Sequence, residues 1–132
     1  MENVKPIVIG AEILIALGYF LDKKGISWFN SSIETLHRWF YDHRQELPCD
    51  LAFGNRGYGP DSNDLRQTLA ILSMSKMTYY KTSDKGKFTY FDPIVSKAYQ
   101  SGIKSKLDLH GLNEDILRRL AESFAESCCQ AG

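Results

Sequence analysis

From Ile7 to Leu21 the chain is apolar almost without a break, with Glu12 the one charged residue among fifteen. A segment apolar all round predicts a helix packed on several sides. Pro6 suits its first turn, where the missing N–H would be unpaired anyway. Gly25 marks its end near Lys24. The run is short for a bilayer span and lacks the basic leader of a signal peptide. It is expected to be a core helix, in a protein with no membrane partner.

The next periodic segment opens at Ser31, with Glu34 three residues on as a capping box. It runs to about Gln45, puts Ile33, Leu36, Phe40 and Tyr41 on one face, and ends before Pro48. Trp28-Phe29 and Trp39-Phe40-Tyr41 surround it with large aromatics. Three consecutive rings on a helix cannot all face one side, so Trp39 or Tyr41 is a candidate for a partner surface. Residues 48–60 form a loop with Gly54, Gly57 and Gly59. Asp61 or Ser62 caps a third helix, whose inner face is Leu65, Leu69 and Leu72.

Met77–Thr82 and Lys87–Phe91, rich in aromatics and threonine, predict two strands joined through Ser83-Asp84-Lys85-Gly86. Asp92-Pro93 begins a short helix ending at Gly102. Asn113 caps a last helix striped by Ile116, Leu117, Leu120, Phe124 and Cys128. Helices feeding a tight hairpin have the layout of a winged helix. The expected fold is therefore mainly α (α+β): one domain over 1–132, with a winged-helix-like core, a two-stranded hairpin and additional C-terminal helices.

Length and composition fit one soluble domain: 132 residues, 43% hydrophobic, 24% charged, formal net charge zero. Zero net charge argues against a purely electrostatic nucleic-acid binder. Its distribution is uneven. Residues 1–75 carry seven basic and nine acidic groups, while residues 76–106 carry seven lysines against Asp84 and Asp92. The basic segment comprises the hairpin and the residues C-terminal to it. Three cysteines, Cys49, Cys128 and Cys129, have neither metal spacing nor an even count, which points to a reducing, cytoplasmic compartment.

The exposed side of the third helix should carry Asn63, Arg66, Gln67 and Ala70. Arg suits guanine, and Asn and Gln suit adenine, if such a helix enters a major groove. Lys81, Lys85 and Lys87 of the hairpin would then meet phosphates. The same surfaces can instead dock a protein, and Asp64 counts against DNA. The loop Gly54–Pro60, with Arg56, could cradle an anion, although turning the chain against the core is reason enough for its glycines. His37, His43 and His110 form no metal pattern, Cys49 has no evident base, and no Ser-His-Asp order is readable. No cofactor, metal or catalytic residue is expected. Ile116, Leu120 and Phe124 are a candidate homodimer interface, or else core.

The run Tyr58-Gly59-Pro60-Asp61-Ser62-Asn63-Asp64-Leu65, with Leu69, Leu72 and a hairpin after it, resembles the Panacea antitoxin-like domain of small prokaryotic proteins. The likeness spans residues 7–91, and its specific part is Gly59-Pro60 with Ser62 and Leu65. Where that family has a Leu-Leu-Tyr run in its first helix, this chain has Leu17-Gly18-Tyr19-Phe20. The resemblance implies a winged-helix-like fold. It also implies a role in toxin neutralisation, proteolytic adaptation or phage-related regulation, and it implies fold more than activity. The expectation is a non-enzymatic regulatory or interaction module of a prokaryotic or phage system that binds a protein partner or DNA, with a sequence-specific DNA-binding transcriptional regulator as alternative and an unassigned small enzyme as a further one.

Overall fold

The first helix, α1 (Pro6–Asp22), is buried along nearly its whole length, as an apolar circumference requires. The computed structural model describes residues 6–55, 59–83 and 86–130. The one charge within the apolar run of α1 is accommodated rather than exposed. Glu12 is buried and receives the Lys106 ammonium at 3.2 Å. An unpaired carboxylate there would be strongly destabilising. Gly18 brings α1 close against the sheet. A Cβ at that position would stand 2.8 Å from the Phe91 ring, so only glycine allows the approach.

Strand β1 (Trp28–Asn30) comes next, then a π-helical turn (Ile33–His37) running into α2 (Arg38–Asp42). Two short strands, β2 (Gly54–Asn55) and β3 (Pro60–Asp61), pair antiparallel just before α3 (Asn63–Met74). Beyond α3 lie β4 (Thr78–Ser83) and β5 (Gly86–Phe91), which pair antiparallel from Thr78↔Phe91 to Ser83↔Gly86. β1 joins the free edge of β5 with Trp28 opposite Tyr90 and Asn30 opposite Phe88. The sheet order is therefore β1-β5-β4. The fold is mostly helical with small antiparallel sheets, an α+β protein.

Because side chains alternate across a strand, this register sorts the sheet into two faces. Phe29, Thr78, Thr89 and Phe91 face inward and are buried. Trp28, Tyr79, Phe88 and Tyr90 lie outward and pack across strands. Tyr79 stacks on Tyr90 at 5.6 Å, and Trp28 meets Phe88 edge-on at 5.5 Å.

The C-terminal third closes the core. α4 (Ile94–Ala98) continues through a second π-helical turn (Tyr99–Ile103) into α5 (Lys104–Leu109). Gly102 does not stop this helix. The stop comes at Gly111, whose φ of +89° suits glycine. α6 (Glu114–Cys128) is capped by Asn113, whose side-chain oxygen accepts from the Ile116 N–H at 3.0 Å. Its stripe is filled by the chain's own core. Phe124 packs against Phe29 and Trp39, and Leu117 and Leu120 are buried. Leu120 and Phe124 therefore serve the interior and are not left open for a second copy, while Ile116 lies partly buried beside them. Trp39 is likewise core, so of the two exposure candidates only Tyr41 reaches solvent.

Candidate interaction face

The start of α3 is fixed by a buried polar cluster. Gly59, at φ +124°, turns the chain into β3, with the Arg38 guanidinium against it: a Cβ on Gly59 would fall 2.8 Å from Arg38 Nη2. Ser62 is the cap, its hydroxyl oxygen accepting from the Leu65 N–H at 3.1 Å. The Ser62 N–H itself donates to Nδ1 of His37 at 3.0 Å. A ring nitrogen that accepts carries no proton, so His37 is neutral with its hydrogen on Nε2. Burial, reinforced by the Arg66 guanidinium and opposed by Asp61, lowers its pKa to about 4. Asp61, also buried, pairs with Arg66. One turn of helix is thus tied to the π turn before α2 by a histidine, a carboxylate and a guanidinium.

From this anchored start, α3 presents Asn63, Gln67, Ala70, Ile71 and Met74 to solvent, while Leu65, Thr68 and Leu72 face the core. Leu69 lies at the margin, half-buried. The outer face changes character along its length, polar at Asn63 and Gln67 and apolar at Ile71 and Met74, the latter 81% exposed. Arg66 does not share this face freely, because Asp61 holds it. Asp64 points back to the preceding loop and accepts the Ala52 N–H at 2.9 Å, so its charge is not aimed at an incoming phosphate.

The hairpin lysines are divided. Lys81 lies over the Tyr90 ring at 5.0 Å on the outer sheet face. Lys87, paired in register with Thr82, lies on the opposite face and shares a cavity of about 270 Å³ with Arg66, His37, Tyr80, Ser31 and Ser32. Of the residues picked from sequence, the fold brings Arg66 and Lys87 together and leaves Asn63 and Gln67 on α3. It sends Lys81 to another surface. Lys85 and Arg56 lie outside the described residues, and with Arg56 the proposed anion cradle of its loop.

Sequence reasoning missed the role of His37, because its partner is a backbone N–H 25 residues away. It also missed a second histidine network. His43 Nδ1 donates to the Trp39 carbonyl at 2.8 Å, which leaves Nε2 to accept from the Ser123 hydroxyl at 3.1 Å. Ser123 accepts in turn from Trp39 Nε1 at 3.2 Å. This has the outline of a nucleophile and base. Yet Ser123 sits inside α6, where backbone N–H groups are already bonded within the helix and cannot stabilise an oxyanion. Its plain effect is to pin α2 to α6. Burial raises the Cys49 thiol to about 11 and Cys129 to about 12, and raises Cys128 as well, so all three remain protonated and weakly nucleophilic. Among the described residues no three His, Cys, Asp or Glu side chains are grouped to hold a metal, and no helix is long and apolar enough to cross a membrane. No protein-family model, curated protein sequence or solved structure matches this chain.

Proposed function

We propose that this chain is a non-enzymatic regulatory module with a winged-helix core, of the kind its Panacea-like loop suggests, binding a protein partner through the outer face of α3 and the adjoining hairpin. The connectivity α1-β1-α2-β2-β3-α3-β4-β5, with β1 on the outer edge of β5 and β2-β3 a separate pair inserted between α2 and α3, supports the winged-helix reading. The observation that carries the choice of partner is the composition of the exposed α3 face. Met74 stands in solvent and Ile71 is 38% exposed on the same side as Gln67, and Tyr80, beside Arg66 and Leu69, is 55% exposed. Such a mixed face with apolar anchors suits a protein groove better than a phosphate backbone.

Duplex DNA is the second reading, favoured by Asn63 and Gln67 on the same helix and by the lysines of residues 76–106. Against it, Asp61 pairs with Arg66 and turns it off the outer face of α3, and Lys81 and Lys87 are on opposite sides of the hairpin. The test is a capture experiment beside a gel shift, with the unmutated chain and an Ile71→Asp/Met74→Asp variant. Met74 is 81% exposed and Ile71 38%, so the variant should stay folded with at most a small fall in melting temperature, checked before binding is scored. A protein partner retained by the parent and lost by the variant is the expected result. A salt-sensitive duplex shift that the variant leaves intact, with no protein captured, would favour DNA.

A further inference from the structure

The cavity that holds Arg66 and Lys87 is cationic and recessed. Its lining includes no carboxylate, and Lys87 makes no ion pair among the described residues. Asp61 pairs with Arg66, so among the described residues the local balance is two cations and one carboxylate, with His37 neutral. Ile33 and Leu69 form an apolar part of the wall. Charges beside such a wall are less screened than on open surface, so an anion there is held more strongly. The Ser31 and Ser32 hydroxyls are already committed, donating to the Lys87 carbonyl and to Thr35 Oγ1. Among the lining side chains, the donors left for a ligand are the Arg66 guanidinium, the Lys87 ammonium, the Tyr80 hydroxyl and the His37 Nε2–H.

We propose that this cavity binds the terminal phosphate of a small molecule, either inorganic phosphate or a phosphate monoester. A planar guanidinium fixed from behind by Asp61, plus an ammonium on a mobile stem, is a donor set suited to phosphate oxygens. A monoester near neutrality carries almost two charges and so gains from both cations. The phosphodiester of a duplex carries one charge per group on a rigid rod, whereas this recess is floored by His37 and Ser31, both buried. The cavity takes Arg66 and Leu69 from α3 and Tyr80 from the hairpin, so it adjoins the face proposed for the protein partner.

Calorimetric titration with inorganic phosphate and, separately, with glycerol 3-phosphate tests the idea on the whole chain. Lys87→Ala removes one of the two cations, and Lys81→Ala removes an equal charge from the other face of the same hairpin. Saturable one-site binding should weaken about tenfold in Lys87→Ala, the loss of one good charge contact, and stay unchanged in Lys81→Ala. Melting without phosphate should be the same for all three proteins, since both lysines are exposed. Tighter binding of the ester than of inorganic phosphate would identify the monoester as the ligand. Equal binding of the two would identify the free ion. No saturable binding at low salt would overturn the proposal. Equal weakening by both substitutions, the mark of a diffuse positive field, or none by Lys87→Ala would overturn it too.

Discussion

Two buried polar side chains, His37 and Tyr99, meet burial in opposite ways, one with a hydrogen-bond partner and one without among the described residues. His37 is neutral because its Nδ1 accepts the Ser62 N–H, and its pKa is lowered from the ordinary 6.5 to about 4. In the unfolded chain the ring takes up a proton first as pH falls. Stability should therefore be full above pH 6.5 and decline between there and pH 4, by about 3 kcal/mol. Urea melts across that range would show it, and His37→Gln should flatten the slope while lowering stability at pH 7. A parallel decline in the variant would assign the pH dependence to other groups. Tyr99 is the complementary case. It is fully buried and stacked on Tyr19 at 4.5 Å, and its hydroxyl has no hydrogen-bond partner among the described residues. Desolvation pushes its pKa up to about 12. An unpaired buried hydroxyl costs stability, so Tyr99→Phe should raise the melting temperature or leave it unchanged, a gain of about 1 kcal/mol at most. A clear loss would mean that the hydroxyl has a partner.

At the scale of elements, capping decides where α3 begins. Ser62→Ala removes the acceptor for the Leu65 N–H and should cost about 1 kcal/mol, read as a shift in the denaturation midpoint. An unchanged midpoint would place the helix start elsewhere. This cap is legible in the sequence, as are Asn113 before α6, the buried first helix and the β4–β5 hairpin, since each is signalled by residues within a few positions. Less is legible where partners are distant. β1 is only three residues long and pairs with a strand some 60 positions away, so nothing local announces it. Ser31 has the spacing of a cap for the second helix. Instead its hydroxyl serves the sheet, accepting from Thr89, and Ser32 takes the cap position with its hydroxyl on Thr35 Oγ1 rather than on a helix N–H. The α6 stripe is readable as a stripe, but periodicity cannot say whether a chain covers it with its own core. Here Phe29 and Trp39 do so. Helical spacing puts Arg66 at the surface, and only the fold shows the buried Asp61 that holds it.

The whole molecule has a division of labour. Aromatic packing among Phe29, Trp39, Phe91 and Phe124 joins the sheet, α2 and α6 into one core. α3 meets that core on one side only, which leaves its outer face and the exposed tyrosines of β4 as surface. If this face is the partner interface, a photoreactive residue placed at Gln67 should join covalently to the partner. Gln67 is exposed at the middle of α3, and Leu109, 87% exposed at the end of α5, serves as the control position. After irradiation in cells, a discrete protein adduct is expected from Gln67 and none from Leu109. Adducts from Leu109 alone, or nucleic acid as the only species joined to Gln67, would contradict it.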